Sequence, residues 1–162
     1  ESLINCAGVY PSVRPDEYLD EMWDEVMTIN TQSPYRLIQG CKEQLIAHKG
    51  SVVNVTSGAV PLGSRDPGYT ASKSALAGLT KSFAKYFAPY GVRVNSVCPG
   101  PIDTPMSQVG MRAEDVQDYI RQIPLKRFGT PEEVAETIYF IAIHGSFITG
   151  TTIHVNGGLF MN

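Results

Sequence analysis

Apolar residues along the chain recur in two alternating patterns, short unbroken runs and longer stretches with helical spacing. The short runs are rich in β-branched residues and predict buried strands over residues 2–6, 51–56, 92–98 and 152–155. The longer stretches predict helices over residues 20–48, 69–87, 113–123 and 130–143. Alternation of this kind is typical of right-handed βαβ units. The pattern therefore predicts an α/β fold, a doubly wound parallel sheet with about four strands visible.

Two of the predicted helices carry local signals of their own. Thr130 is a favourable N-cap, Pro131 suits the first helical position, and Glu133 can complete a capping box. Pro34 lies inside the first predicted helix and has no N–H to donate to the carbonyl of Asn30. A kink is therefore predicted near Asn30.

The composition restricts the class of protein. The chain has 162 residues, of which 43% are apolar, and a formal net charge of −3. This length suits one domain, and the slight acidity argues against nucleic acid as a partner. Every apolar run is far shorter than the roughly 20 residues that cross a bilayer, so no membrane partner is expected. The composition predicts a soluble globular protein.

The cysteines indicate the compartment. Cys6, Cys41 and Cys98 are odd in number and widely separated, which fits a reducing environment and no disulfide framework. With no signal peptide in view, a cytoplasmic location is expected. Cys6 and Cys98 lie in predicted strands and are expected to be buried thiols. The histidines show no ligand spacing with the cysteines, so no metal site is predicted.

The first residues bear on the domain organisation. The chain begins at Glu1, without Met, directly before the apolar run at residues 2–6. A sequence that opens inside a predicted strand suggests that residues are missing upstream. We interpret residues 1–162 as one portion of a longer domain.

A tyrosine and a lysine form the first candidate for chemistry. Tyr69 and Lys73 are four residues apart at the start of a predicted helix, which places them on one face. A nearby cation stabilises a phenolate and lowers its pKa, as acid–base catalysis near neutral pH requires. The alternative is an ordinary pair of surface neighbours.

Ser57 is the second candidate. It follows the strand predicted at residues 51–56, and ligands of open α/β sheets bind beyond the carboxyl ends of the strands. A hydroxyl there can donate to a substrate oxygen. The alternative is that Thr56 and Ser57 only cap a turn.

Asn30 is the third candidate. Its carbonyl loses its helical partner because of Pro34, and it must find another donor, such as an ordered water. A water held there beside a catalytic lysine would make a proton relay. The alternative is a kinked helix with no catalytic meaning.

Two turns after predicted strands are built from small or proline residues. Asn5-Cys6-Ala7-Gly8 and Pro99-Gly100-Pro101-Ile102-Asp103-Thr104 would let a flat ligand approach the backbone. Each turn alone is a generic strand-to-helix connection.

Taken together, these residues resemble the short-chain dehydrogenase/reductase family. The resemblance covers essentially the whole chain, and its motifs occur in the family's order. They are Asn5-Cys6-Ala7-Gly8 for the family's Asn-Asn-Ala-Gly, Asn30, Ser57, Tyr69-x-x-x-Lys73, Pro99-Gly100 with Thr104, and Val155-Asn156-Gly157-Gly158. The resemblance implies a Rossmann-like fold whose Gly-rich, phosphate-binding βα units precede the segment that begins at Glu1. Residues 1–162 would then be the C-terminal, catalytic portion of one such domain.

The resemblance also implies roles for the catalytic candidates. Tyr69 would be the acid/base of an NAD(P)-dependent oxidoreductase that interconverts an alcohol and a ketone or aldehyde. Lys73 would lower the pKa of Tyr69 and hold the nicotinamide ribose. Ser57 would orient the substrate oxygen, and Asn30 would anchor the water of the relay.

Cofactor contacts are implied at both turns. The backbone at Asn5, Ala7 and Gly8 would approach NAD or NADP, between which the sequence does not distinguish. The residues that follow the third strand would contact the nicotinamide carboxamide. They are Pro99, Gly100, Ile102 and Thr104.

Substrate and partners are implied only in outline. The substrate would be a small alcohol or carbonyl compound, as in 3-oxoacyl-carrier-protein reductases or in sugar and polyol dehydrogenases. Residues 104–127 would form a lid in which Met106, Val109, Met111 and Ile123 line an apolar pocket or serve as core contacts. The helices at residues 20–48 and 69–87 would pair in a homodimer or homotetramer.

A second function remains open. The chain could be a non-catalytic half-domain that acts as an assembly or regulatory module, because the phosphate loop is not in it. An epimerase or dehydratase of the same fold is a lesser alternative.

Overall fold

Four parallel strands form the centre of the structure, a computed structural model that describes residues 1–108 and 113–161. The strands are β1 (Ser2–Asn5), β2 (Ser51–Val55), β3 (Arg93–Pro99) and β4 (Thr152–Val155), in the sheet order β1-β2-β3-β4. In register, Ile4 lies opposite Val53 and Val53 opposite Asn95. The predicted α/β fold with a parallel sheet is confirmed.

Helices connect the strands and cover both faces of the sheet. The described helices are α1 (Asp20–Met27), α2 (Ser33–Gly40), α3 (Lys42–Ala47), α4 (Ala59–Leu62), α5 (Pro67–Phe87), α6 (Pro105–Gln108), α7 (Ala113–Gln122) and α8 (Pro131–Tyr139). Two turns of π-helix cover Thr28–Gln32 and Phe140–His144, and two short 3₁₀ turns cover Pro15–Glu17 and Ala88–Tyr90.

The core has two layers because neighbouring side chains of a strand point to opposite faces. Val52 belongs to the layer that contains Ile38 and Phe83, whereas Val53 packs in the other layer with Ile141. Full burial of each such side chain contributes about 1.5–3 kcal/mol before the cost of ordering it. Buried apolar residues on both faces explain why the strand runs read as continuous rather than alternating.

The continuous helix predicted over residues 20–48 is wrong. It is divided into α1, the first π-helical turn, α2 and α3, with a break at Cys41. The π-helical turn falls where Pro34 removes the donor for the Asn30 carbonyl, so the predicted irregularity near Asn30 is confirmed.

The predicted start of α8 is confirmed. Thr130 Oγ1 accepts from the Glu133 amide at 3.3 Å, and the Thr130 amide donates to Glu133 Oε2 at 2.8 Å. Arg127 forms two hydrogen bonds to the same carboxylate, at 2.8 and 2.6 Å. The hydrogen bonds from Arg127 and Thr130 lower the pKa of Glu133 to about 2. The capping box therefore carries a charged, fully engaged carboxylate.

Among residues 1–108 and 113–161, no helix is both long enough and apolar enough to cross a membrane.

Candidate active site

A cavity of about 840 Å³ lies beyond the carboxyl ends of the strands. This is the edge at which open α/β sheets bind their ligands. Most of the predicted site residues line it together: Gly8, Ser57, Tyr69, Lys73, Pro99, Gly100, Ile102 and Thr104. Three others, Asn5, Ala7 and Asn30, are not among its lining residues.

Tyr69 is fixed in the first turn of α5 and faces the cavity. It lines the cavity together with Ser57, and its ring packs against Tyr10 with 4.8 Å between ring centroids. Burial raises the pKa of Tyr69, and the neighbouring Ser57 hydroxyl opposes that rise. Ser57 Oγ also accepts from the Ala59 amide at 3.1 Å, so it caps a turn as well as facing the phenol.

Lys73 lies one helical turn further along α5, on the same side. Its ammonium donates to the Val55 carbonyl at 2.9 Å and lies 5.9 Å from the centroid of the Tyr69 ring. Burial lowers the pKa of Lys73 to about 8. The expected lowering of the Tyr69 pKa by Lys73 stays a prediction.

Asn30 is fully buried in the first π-helical turn and acts behind the cavity wall. Its side-chain carbonyl accepts from the Val9 amide at 2.9 Å, and its amide nitrogen donates to the Val9 carbonyl at 2.9 Å and to Ser72 at 3.1 Å. It thus fastens the segment after β1 to α5. The relay water assigned to Asn30 stays a prediction.

Gly8 lies between Asn30 and Lys73. A Cβ at this position would meet Asn30 Oδ1 at 3.1 Å and Lys73 Nζ at 3.2 Å. Glycine therefore lets the backbone pass close to both groups, as predicted for a turn that a flat ligand approaches.

Asn5 and Ala7 have other surroundings. The Asn5 side chain is buried and donates to Asn54 at 2.8 Å, and Asn54 in turn donates to Thr80 at 2.9 Å. Ala7 is exposed. Asn5 therefore joins β1 to β2, and cofactor contacts at either residue stay predictions.

The wall after β3 is built on a close backbone contact. A Cβ at Gly100 would lie 2.8 Å from the Cα of Asn156, and the Gly100 amide donates to the Val155 carbonyl at 2.9 Å. Ile102 and Thr104 follow along the same wall, where Thr104 Oγ1 lies 3.4 Å from the Ile102 carbonyl.

Cys6 departs from expectation. It is exposed and lines the cavity near Lys73, whereas Cys98 is buried as predicted. The strand ends at Asn5, so residue 6 already belongs to the turn.

The predicted lid residues separate into two groups. Met106 lines the cavity, whereas Ile123 is 1% exposed and packs near Gly157, as a core contact. Val109 and Met111 lie outside the described residues.

Asp66 is a site residue that the sequence analysis missed. Its buried carboxylate caps α5 by accepting from the Tyr69 amide at 2.8 Å, and it also accepts from the amides of Ser12 at 3.0 Å and Val13 at 3.4 Å. The signal was present, since Asp before Pro67 is typical of a helix start.

Gly68 permits a second contact behind Tyr69. A Cβ at position 68 would lie 2.2 Å from the hydroxyl oxygen of Tyr18. Burial and the neighbouring Asp66 carboxylate raise the pKa of Tyr18, so it stays a neutral phenol against the start of α5.

In the described part of the chain, no three His, Cys, Asp or Glu side chains group closely enough to hold a metal ion.

Comparisons with known proteins bear on the family to which the chain belongs. The family model described as enoyl-(acyl carrier protein) reductase matches residues 1–160. Protein FixR of Bradyrhizobium diazoefficiens is 38% identical over 97% of this chain and 58% of its own length. The 3-oxoacyl-(acyl-carrier-protein) reductase of Aquifex aeolicus is 42% identical over 85% of this chain and 56% of its own length. The human (3R)-3-hydroxyacyl-CoA dehydrogenase is 35% identical over 98% of this chain and 62% of its own length.

A solved structure gives the same result. The crystal structure of a 3-oxoacyl-(acyl-carrier protein) reductase from Brucella melitensis superposes with a TM-score of 0.92 at 32% identity. It covers 99% of this chain, and the chain covers 63% of it. The chain therefore spans about three-fifths of the length of its relatives. Across that span, the matching family model and the shared fold show that the chain belongs to the short-chain dehydrogenase/reductase family.

Proposed function

We propose that the chain is the catalytic part of an NAD(P)-dependent oxidoreductase that interconverts an alcohol and a ketone or aldehyde. The observation that carries the proposal is that Tyr69, Ser57 and Lys73 line one cavity, with the Lys73 ammonium 5.9 Å from the centroid of the Tyr69 ring. The activities by which the Aquifex and human relatives are named support it.

The residues present fit a nicotinamide nucleotide. Gly8 and Gly100 bring bare backbone to two sides of the cavity, and Lys73 supplies a buried amine between them. Ile102 and Thr104 would meet the carboxamide. When bound, the cofactor supplies or accepts the hydride.

Side chains of this chain would transfer the proton to and from the substrate oxygen. In the reduction of a ketone, the Ser57 hydroxyl would orient the substrate oxygen and Tyr69 would give it a proton as the hydride reaches the carbon. Oxidation of the alcohol reverses both transfers. Lys73 would stabilise the resulting phenolate, and Asn30 would connect Lys73 to solvent through a water.

The test is Tyr69→Phe in the full-length protein. We expect kcat/KM to fall by roughly 10³-fold, within the range for loss of a general acid–base group, while nucleotide affinity changes less than about twofold. Tyr10→Phe is the matched control, because it removes a hydroxyl and keeps the ring that packs against Tyr69. This variant should retain activity within about fivefold. Full activity of Tyr69→Phe would exclude the acid/base assignment.

The alternative is a non-catalytic assembly or regulatory module. It would be supported if the full-length protein bound neither NADH nor NADPH in a fluorescence titration. Micromolar binding of either nucleotide would defeat it.

We also propose a homodimer or homotetramer in the cytoplasm. Exposed apolar and aromatic side chains occur on α2, near the end of α5 and in the 3₁₀ turn that follows it: Tyr35, Leu37, Tyr86 and Tyr90. Free Cys6, Cys41 and Cys98 fit a reducing compartment. Light scattering on the full-length protein gives the oligomeric state directly.

A further inference from the structure

The cavity has an uneven distribution of charge. Among its described lining residues, the charged side chains are Lys73 and Arg65, and none is Asp or Glu. Lys73 is buried and donates to the Val55 carbonyl. Arg65 is exposed and lines the same cavity, so it lies where the cavity meets solvent.

Among the described residues, the guanidinium of Arg65 bonds to a hydroxyl rather than to a carboxylate. Its Nε donates to Ser12 Oγ at 2.9 Å, and Nη2 bonds to the same oxygen. Within residues 1–108 and 113–161, no carboxylate forms an ion pair with it. The adjacent Asp66 points elsewhere, because its carboxylate accepts from backbone amides of Ser12, Val13 and Tyr69.

Ser12 holds Arg65 in a defined place. Its φ is +64°, a left-handed conformation that is uncommon for serine, and the Asp66 carboxylate fixes it through the Ser12 amide. The Ser12 hydroxyl is therefore a rigid acceptor for the guanidinium. Arg65 is positioned at the mouth before any ligand arrives.

Much of the remaining cavity lining is apolar. It includes Leu62, Met106, Ile138 and Leu159, together with the ring of Tyr119. A molecule that fits this cavity has an apolar body. With two cations and no acid among the described lining residues, the cavity favours an anionic group over a cationic one.

We propose that Arg65 is a specificity-determining residue that binds the carboxylate or phosphate of an otherwise apolar hydroxy or keto substrate. The reacting carbon of that substrate would lie at Tyr69. The inference rests on the proposed oxidoreduction, and it adds the class of substrate. A guanidinium suits both anions because its planar fork forms paired hydrogen bonds with either.

The experiment compares charged and uncharged substrates in the full-length protein. One series consists of linear keto acids, with the ketone two to six carbons from the carboxylate, and the methyl ester of each. The second series pairs 3-oxoacyl-CoA with the matching N-acetylcysteamine thioester, which has no phosphate. The first series tests a carboxylate on the substrate and the second a phosphate on its carrier.

Arg65→Ala should lower kcat/KM for the charged member of at least one pair by about 10- to 100-fold, the effect of one charge-assisted contact. The uncharged member should change less than about threefold, and KM for the nucleotide should be unaffected. Arg65→Lys should recover part of the loss, because it keeps the charge and loses the fork. Arg14→Ala is the control, because it removes an exposed guanidinium that does not line the cavity, and it should leave the ratio of charged to uncharged turnover unchanged.

Two outcomes overturn the proposal. An unchanged ratio of charged to uncharged turnover in both series shows that Arg65 binds no substrate anion. An equal loss on both members of each pair shows that it only shapes the cavity. Failure of the proposed function is distinguishable, since the unmodified protein would then turn over neither the esters nor the acids.

Discussion

The two π-helical turns have the same kind of backbone irregularity but differ in how they bond to the rest of the molecule. At Thr28–Gln32, the side chain of Asn30 reaches out of the turn to the Val9 backbone and Ser72. At Phe140–His144, a side chain reaches in, because Arg93 donates to the carbonyls of Ile141 and Ala142, both at 2.7 Å.

The first turn therefore positions segments of the candidate site, whereas the second stabilises the fold away from the site. Asn30 connects the segment carrying Gly8 to α5, the helix that carries Tyr69 and Lys73. Arg93 stands at the start of β3, at the end of the sheet away from the cavity. Irregular helical turns are frequent at functional sites, but here only the contacts of each turn reveal its role.

Of the changes at the two turns, the larger effect is expected at the first. Asn30→Ala leaves the Val9 amide and carbonyl without their partner and frees the segment that carries Gly8. We expect unfolding free energy to fall by about 2–4 kcal/mol and kcat/KM to fall by roughly 100-fold, as small misplacements of reacting groups cause. Urea unfolding and steady-state kinetics measure the two effects.

Thr31→Val is the control for that prediction. Thr31 lies in the same turn and donates to the Ser72 carbonyl at 2.9 Å, but it does not contact the segment after β1. It should lose about 1 kcal/mol and keep activity within a few-fold. Equal losses of activity in the two variants would mean that Asn30 acts through stability alone.

A change at the second turn should lower stability and leave activity nearly unchanged. Arg93→Met removes two hydrogen bonds from a cation and leaves the carbonyls of Ile141 and Ala142 less satisfied. The free energy of unfolding should fall by about 2–3 kcal/mol, with kcat/KM within about threefold of the unmodified protein. Lys81→Met, at an exposed position of α5, is the control for loss of a positive charge. A large loss of kcat/KM in Arg93→Met would end the distinction between the turns.

A further contrast, confined to the pH dependence of stability, concerns the two cations near these turns. Burial lowers the pKa of Lys73 to about 8 from an ordinary 10.5. Between those pH values the unfolded chain binds more protons than the folded one, so this group adds stability as pH rises. We compare the free energy of unfolding of the unmodified protein with that of the Lys73→Met variant. The difference between them should rise by up to about 3 kcal/mol from pH 7 to 10.5.

Arg93 provides the contrast in the same titration. A guanidinium stays charged through this range, so the difference between the unmodified protein and Arg93→Met should stay nearly flat. Equal slopes for both variants would contradict the assignment of the pH dependence to Lys73. Chemical denaturation at several pH values, without added nucleotide, measures both slopes.

Local patterns in the sequence predicted the elements and part of the site. Pro34 marked the first π-helical turn because a missing N–H is a local cause. No proline marks the second turn, whose stabilising partner, Arg93, is 48 residues away from Ile141. Tyr69 and Ser57 could be brought together because each follows from its place at a strand end or helix start.

Contacts between distant segments could not be predicted in this way. Ser12 and Arg65 are 53 residues apart, and neither residue type in its local context indicates the other. Cys6 was placed in a strand because the apolar run continues to it, whereas pairing with β2 ends at Asn5. Hydrophobic runs indicate a strand well and its last paired residue poorly.

The contact between Gly68 and Tyr18 has a consequence for how relatives diverge. Any side chain at position 68 would collide with the Tyr18 hydroxyl, whose place at the start of α5 is 2.2 Å from the missing Cβ. An alanine at position 68 therefore requires the Tyr18 ring to move aside or a shorter residue at position 18. We therefore expect the residue types at positions 18 and 68 to covary among relatives, although the two positions are 50 residues apart in sequence.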